Sequence, residues 1–221
     1  MTAQNIHAVA RFNMVESQIR TNRVSDSALL RVLGDIPREI FVPEALASVA
    51  YVDKSLHIGS ERYLLEPLVL GRLLQEAMIS ATDRVLVVGA GTGYSVAVLA
   101  RLTASVTGVE SDAGLGAKAR ANLVGLGIAN AAIQVGPMTG GWAAAAPFDL
   151  ILIDGMVAEL PEPILAQLAE RGRLVTVRSQ EGRSGAGVLY RKLGGTVSGR
   201  KLFDAVTPFL PGFAPRPAFA L

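Results

Sequence analysis

The chain has 221 residues, of which 50% are apolar and 18% are charged, and it contains no cysteine. This composition predicts a folded chain with a large buried core, and it excludes a disordered chain, a disulfide scaffold and any thiolate site. Lysine and arginine outnumber aspartate and glutamate by 21 to 19, without a basic block interleaved with aromatic residues, so we expect no nucleic-acid partner. No apolar run has the length of a membrane span and no signal-peptide pattern opens the chain, so we expect a cytoplasmic protein without a membrane partner.

Apolar residues at helical spacing predict two helices at the start of the chain. The first covers about residues 4–20, and its expected core face comprises Val9, Phe12, Val15 and Ile19, with Met14 beside them. The second begins after a cap at Ser25 or Asp26 and ends at Gly34 and Pro37. Its expected core face comprises Leu29, Leu30 and Leu33.

A loop-rich segment follows over residues 36–59. Pro37 and Pro43 interrupt regular structure, and Phe41 and Tyr51 are aromatic residues that need burial. We therefore expect this segment to lie over a ligand cleft, with His57 at its rim or in packing. A third helix is predicted from Pro67, and its apolar residues are Leu68, Leu70, Leu73, Leu74 and Met78.

The centre of the chain carries a strand, a glycine turn and a helix start. Residues 85–88 are apolar and mostly β-branched, as in a buried parallel strand, and Gly89, Gly91 and Gly93 follow at alternate positions. A dinucleotide fingerprint requires a further glycine where Tyr94 stands. The spacing therefore favours a class I S-adenosylmethionine (SAM) turn, and the alternative is a tight turn without a ligand.

An acidic residue supports a ligand at this turn. Glu110 ends the next apolar run, about 20 residues beyond the glycines, where a carboxylate at a strand end can accept hydrogen bonds from ribose hydroxyls.

The remaining pattern alternates strands and helices. Asp112 or a neighbour is expected to open the next helix, further strands are predicted at 132–135, 148–153 and 173–177, and a helix at 161–168. Residues 187–192 and the tail through Phe203, Phe209 and Leu210 suit antiparallel end strands. The prediction is an α/β fold with a doubly wound, mostly parallel seven-stranded, Rossmann-like sheet and an N-terminal helical appendage. We expect a single domain over 1–221, with a cleft-covering segment at 1–80 and the core at 81–221.

Several motifs resemble one family. They are Met14-Val15-Glu16 with Gln18-Ile19, Pro37-Arg38-Glu39 with Phe41-Val42-Pro43, Ala50-Tyr51 with Asp53, Ile58-Gly59, Gly136 with Gly141-Trp142, and Ala146-Pro147-Phe148-Asp149. Together they resemble the protein-L-isoaspartate (D-aspartate) O-methyltransferases from about residue 14 to 210. The resemblance implies SAM as cofactor and methylation of the side-chain-position carboxylate of isoaspartyl residues in damaged proteins or peptides. The expected cofactor-binding residues are Gly89, Ala90, Gly91, Thr92, Gly93, Tyr94, Glu110, Ser111, Pro137 and Met138.

The chain departs from the family after Gly59. Tyr63 and Leu65 stand at the family's threonine and serine positions, and leucine can neither donate nor accept a hydrogen bond. Arg62, whose guanidinium could grip the acceptor carboxylate through two bonds, and Tyr63, as a donor, are the candidate catalytic residues. The alternatives are that Arg62 is an exposed loop arginine or pairs with Glu61 or Glu66, and that the Tyr63 ring packs over the cleft.

Two further departures concern the cofactor. Val87 and Pro137 replace acidic residues that accept from the amines of SAM in relatives, so we expect weaker SAM binding or a different nucleotide. Asp154 ends the fourth strand at the edge where ligands sit, but without a nearby Asp-Asn pair or histidine we expect no metal there, and His7 and His57 are too few for zinc. The alternative function is a non-catalytic or retargeted member of the family.

Overall fold

The computed structural model describes residues 3–180 and 184–215. The described strands are β1 Leu56–Gly59, β2 Arg62–Leu64, β3 Arg84–Val88, β4 Ser105–Glu110, β5 Ala131–Val135, β6 Phe148–Val157, β7 Leu168–Ser179, β8 Gly185–Leu193 and β9 Thr196–Asp204. Seven of them form one sheet in the order β5-β4-β3-β6-β7-β8-β9. The pairings from β5 to β7 are parallel, and β8 and β9 are antiparallel. The predicted doubly wound, mostly parallel sheet is confirmed.

Helices pack on the sheet and form most of the N-terminal region. The α-helices are α1 Ala3–Asn13, α2 Ser27–Asp35, α3 Pro67–Ala77, α4 Tyr94–Ala100, α5 Ala113–Gly125 and α6 Glu162–Ala166. A π-helix spans Met14–Ile19, and 3₁₀ turns span Arg20–Asn22, Arg38–Phe41, Glu44–Val49, Met138–Gly140 and Ala143–Ala145. Within the described ranges, no helix combines the length and apolar character that crossing a bilayer requires.

The central strand β3 is buried on both faces. Val85 and Val87 belong to the core that includes the N-terminal helices, whereas Leu86 and Val88 belong to the core that includes α6. Because successive side chains of a strand point to opposite faces, these two cores lie on the two sides of the sheet. This burial explains why the strand is a continuous apolar run rather than an alternating one.

The first predicted helix is wrong in its core face. Val9 and Phe12 are 53% and 64% exposed, whereas Met14, Val15 and Ile19 are buried. The regular helix ends at Asn13, and the π-helix that follows closes on an i→i+5 bond from the N–H of Arg20 to the carbonyl of Val15. That wider turn changes which side of the helix faces the core, so the apolar residues before the π-helix do not continue the buried face formed by those within it.

Other predicted helix features hold. Asp26 caps α2 by accepting from the N–H of Leu29 at 2.8 Å, and Leu29, Leu30 and Leu33 are buried. Asp112 likewise caps α5. In α3, however, the helix ends at Ala77, and Met78, which was predicted to be part of the helix, is the left-handed residue after it and is 70% exposed.

The segment before α3 folds over the glycine turn. Phe41 and Tyr51 are buried as predicted, and the Phe41 carbonyl accepts from the Thr92 hydroxyl at 2.5 Å. A hairpin that the sequence analysis did not predict, formed by β1 and β2, follows them. Its turn has positive φ values of 109° at Gly59, 48° at Ser60 and 54° at Glu61.

The C-terminal segment also differs from its predicted place. Beyond β9, residues 205–213 leave the antiparallel edge and return to the end of β6, where Phe209 forms a parallel bridge with Met156. The Met156 N–H donates to the Pro208 carbonyl at 3.1 Å, and the Leu210 N–H donates to the Met156 carbonyl at 2.9 Å. The prediction that Phe209 and Leu210 belong to an antiparallel end strand is therefore wrong.

Candidate functional site

The glycine turn lies at the carboxyl end of β3. Gly89, Gly91 and Gly93 have φ values of +87°, +54° and +96°, which a residue with a Cβ adopts only under strain. The N–H groups of Gly89 and Ala90 both donate to the carbonyl of Val109 at 2.9 Å, which ties the turn to β4. The pattern of alternate glycines thus predicted a turn that requires glycine at each of the three positions.

Glu110 lies beside this turn at the end of β4 and is fully buried. Its Oε2 accepts from the N–H of Gly91 at 2.7 Å, and its Oε1 accepts from the N–H of Ser111 at 2.8 Å and of Asp112 at 3.2 Å. The carboxylate therefore holds the turn and the start of α5 together. Its position at the strand end is the one that the sequence predicted.

Arg62 reaches the same carboxylate from the hairpin. Its Nε donates to Oε2 of Glu110 at 3.2 Å, and its Nη2 donates to the carbonyl of Gly89 at 2.6 Å. The side chains of this ion pair are 3% and 0% exposed. Arg62 is thus inserted into the glycine turn, where its donors are bonded to Glu110 and Gly89.

Two apolar side chains close the rest of the turn. A Cβ placed on Gly89 would lie 2.7 Å from Leu210 Cδ1 and equally close to Arg62 Nη2, and one on Gly91 would lie 2.9 Å from Ile58 Cδ1. The whole stretch from Gly89 to Tyr94 is buried. The chain's own side chains therefore fill the space in front of the glycines.

A cluster of buried polar groups lies next to the turn. Arg38 is fully buried, and its guanidinium stands 4.7 Å from the centre of the Tyr94 ring. It donates to the carbonyls of Ala50 at 2.7 Å and Leu65 at 2.5 Å. Among the described residues, Nη1 of Arg38 and the Tyr94 hydroxyl have no hydrogen-bond partner. The Leu65 position therefore contributes a backbone acceptor to this cluster.

Asp154 borders the same cluster from β6 and is 7% exposed. Its Oδ2 accepts from the Ser95 hydroxyl at 2.5 Å. Burial raises the pKa of the Asp154 carboxyl to about 6, although the hydrogen bond from Ser95 and the charges of Arg62 and Arg38 act in the opposite direction. The prediction that Asp154 ends its strand is wrong, because β6 continues to Val157, and Asp154 lies within the strand where the charges of Arg62 and Arg38 act on it.

Of the remaining predicted site residues, Ser111 contacts Glu110, whereas Tyr63, Pro137 and Met138 are not bonded to the ion pair. Tyr63 is half-buried, and its ring packs edge-on against His57 with 5.1 Å between centroids. Ser111 and Pro137 are exposed, whereas Met138 is buried in the core on the α6 side. The structure thus brings together the glycine turn, Glu110 and Arg62, and it leaves Tyr63 and Pro137 outside that contact.

A sequence profile of the protein-L-isoaspartate (D-aspartate) O-methyltransferases (PCMT) matches residues 10–206. The chain belongs to this family. A protein-L-isoaspartate O-methyltransferase of Methylorubrum extorquens strain PA1 is 43% identical over 168 residues, which are 76% of this chain and 73% of that protein. One from Methanoculleus marisnigri is 38% identical over 165 residues, or 75% of each chain. The predicted family is therefore confirmed.

Solved structures of PCMT proteins share the fold. One matches with a TM-score of 0.76 at 24% identity and covers 96% of this chain and 66% of that chain. Another, described as a PCMT from Plasmodium falciparum in complex with S-adenosyl-L-homocysteine, matches with a TM-score of 0.77 at 20% identity and covers 92% and 97%. The family is SAM-dependent, so the predicted cofactor is confirmed at the level of the family.

In the conformation described, the space in front of the glycine turn is filled by the chain itself and is not open to the cofactor. Side chains of Arg62, Leu210 and Ile58 lie so close to the glycines that a single Cβ on Gly89 or Gly91 would meet one of them at 2.7–2.9 Å. Glu110 already accepts five hydrogen bonds, whose donors are Arg62, three backbone N–H groups and the Ser111 hydroxyl. The sequence analysis missed Leu210 and Ile58 at this site because each reaches it through a tertiary contact, and it missed the Arg62–Glu110 pair because 48 residues separate the partners.

Proposed function

We propose that this chain is a SAM-dependent protein-L-isoaspartate O-methyltransferase that methylates the side-chain-position carboxylate of damaged proteins or peptides, and that the structure describes a closed state of it. The observation that carries the proposal is the family match over residues 10–206, which includes the N-terminal segment as well as the sheet. A glycine turn with a buried carboxylate at the next strand end supports it. We propose the turn from Gly89 to Tyr94, Glu110, Ser111, Pro137 and Met138 as the cofactor side of the site.

The acceptor side is less like the family. Leu65 is 3% exposed, and its carbonyl accepts from Arg38, so its side chain provides apolar packing where the family has a serine. Because an isoaspartyl carboxylate is already ionised at neutral pH, the site has to supply positioning and donors rather than a general base. The half-buried Tyr63 supports a role as a donor at the rim of the site.

We further propose that the protein acts in the cytoplasm on a protein or peptide substrate and has no nucleic-acid partner. A nearly balanced charge of 21 basic against 19 acidic residues and the lack of cysteine support this assignment.

The experiment is a transfer assay with labelled SAM and two peptides that differ in one linkage. Transfer to the isoaspartyl peptide, without transfer to its normal aspartyl twin, is the expected result. Restoring the family residues with Leu65→Ser and Pro137→Asp should raise the rate, whereas Leu193→Ser, at a position that is 58% exposed, is the matched control and should not.

The alternative, a non-catalytic or retargeted member of the family, is not favoured by the comparisons. The closed turn makes it the explanation to adopt if the transfer assay shows no methylation. SAM binding without transfer to the isoaspartyl peptide, in both the native chain and the restored variant, would overturn the proposed function and support this alternative.

A further inference from the structure

Arg62 is bonded to two polar groups at the glycine turn. Its guanidinium binds the carboxylate of Glu110 and the carbonyl of Gly89, two acceptors that a ligand with several hydroxyl or amino groups would use. We infer that Arg62 is an internal competitor for the adenosyl cofactor, which can enter only when this side chain leaves the turn. The inference rests on the proposed function and names a contact that keeps the proposed site closed.

The contact of Arg62 with the turn is buried and hydrogen-bonded, so Arg62 competes with a ligand rather than moving freely at the surface. Arg62 is 3% exposed, and Glu110 is fully buried. In such a water-poor environment a charge-assisted pair is stronger than the same pair at the surface. A ligand must therefore replace both bonds of the guanidinium before it gains anything from the turn.

The element that carries Arg62 has the geometry of a movable hairpin. β2 is three residues long and pairs with β1 in a separate two-stranded sheet, outside the seven-stranded sheet. Ser60 and Glu61, at the tip, are exposed and have positive φ values. The hydroxyl of Ser60 donates to Oδ2 of Asp112 at 2.7 Å, an exposed contact that links the tip to the start of α5. An outward movement of the hairpin would break this surface contact and both bonds of Arg62 and would expose Leu56, Ile58 and Leu64, while the seven-stranded sheet stays intact.

Leu210 closes the same turn from the opposite end of the chain. It is fully buried, and a Cβ on Gly155 or on Gly89 would lie within 3.0 Å of its side chain. Because its N–H is bonded to the carbonyl of Met156, it is fixed to β6 rather than to the hairpin. Arg62 and Leu210 thus close the turn independently of each other. Only Arg62 competes with the ligand for hydrogen-bond acceptors.

The consequence is a measurable penalty on cofactor affinity. If a fraction of molecules has Arg62 outside the turn, the measured dissociation constant is the intrinsic one divided by that fraction. Removing the guanidinium raises the fraction and should tighten binding. This is the opposite of what is expected for an arginine that holds the cofactor, whose loss would weaken binding.

The test is calorimetric titration of S-adenosylhomocysteine into the native protein and three variants. Arg62→Ala should bind at least tenfold more tightly than the native chain, and Arg62→Lys, which keeps the charge on a narrower group, should lie between them. Arg200→Ala is the matched control, because Arg200 also pairs with a glutamate, Glu76, but on the surface; its affinity should equal that of the native chain. Equal or weaker binding by Arg62→Ala, including no detectable binding by any of the proteins, overturns the inference.

Hydrogen exchange on the native protein gives a second test that does not depend on the folding of a variant. With S-adenosylhomocysteine added, amides of residues 60–64 should exchange faster while those of 89–94 become protected. Protection of both segments, or no change in 60–64, would contradict displacement of Arg62. The transfer assay separates this inference from the proposed function: tighter binding by Arg62→Ala without methyl transfer supports the inference alone, and transfer by a native chain whose affinity does not respond to Arg62→Ala supports the function alone.

Discussion

Removal of the Arg62 side chain should destabilise the ligand-free protein. Arg62→Ala deletes the donors to Glu110 Oε2, at 3.2 Å, and to the Gly89 carbonyl, at 2.6 Å. Hydrogen bonds that involve a charged group contribute about 1.5–3 kcal/mol each, and breaking a buried ion pair costs about 3–5 kcal/mol. Three backbone N–H groups continue to donate to Glu110, so we expect the low end, a loss of about 3 kcal/mol.

The assay is urea unfolding followed by circular dichroism, with the free energy of unfolding extrapolated to water. Arg200→Ala, whose ion pair with Glu76 has exposures of 59% and 38%, should cost about 0.5 kcal/mol or less. The double variant Arg62→Ala with Glu110→Gln should lose less than the sum of the two single losses, because both changes remove the same pair. A loss from Arg62→Ala no larger than that from Arg200→Ala would refute the reasoning that this pair is desolvated and structural.

Two further predictions concern the neighbours of the turn. Leu210→Ala removes a fully buried side chain and should cost about 2–5 kcal/mol in the same unfolding assay, whereas Leu193→Ala, at a position that is 58% exposed, should cost far less; equal losses would show that Leu210 does not pack in the core. Burial raises the pKa of Asp154 from 3.8 to about 6, so the folded state favours the protonated carboxyl. The resulting contribution to the stability of the fold is complete below about pH 4 and is lost as the pH rises through about 6. At about 1.4 kcal/mol per pKa unit the effect on the free energy of unfolding is about 3 kcal/mol, so Asp154→Asn should remove that part of the decrease in stability between pH 4 and 7. The control Asp204→Asn, at an exposed ion pair, should keep the native pH dependence. An unchanged pH dependence in Asp154→Asn would contradict the raised pKa of Asp154.

The parts of the fold that were predictable are those whose signal is local. The apolar run of β3 and the three glycines after it fix a buried strand and a turn, because few other structures accommodate that pattern. Glu110 was placed correctly by its distance from the turn along the chain. Asp26 and Asp112 were predicted as caps because a helix start needs a side-chain acceptor within three residues.

The parts that failed depend on distant contacts or on irregular backbone. The π-helix at Met14–Ile19 changed the helical period, so Val9 and Phe12 could not be assigned to a face by regular spacing. Leu210 reads as the end of an antiparallel strand, yet the chain returns to Met156 in parallel orientation. The burial of Arg62 requires a partner carboxylate on β4, and nothing in residues 59–66 alone distinguishes this pair from one with Glu61 or Glu66.

The pairing of Arg62 with Glu110 also bears on how genomes are annotated. A glycine-rich fingerprint and its downstream carboxylate together predict a nucleoside-binding site. Here the carboxylate also has a structural task, since it neutralises an arginine from the same polypeptide. Selection for folding therefore acts on this carboxylate in addition to selection for ligand binding, and a basic residue opposite the carboxylate is a feature to check in other methyltransferase sequences.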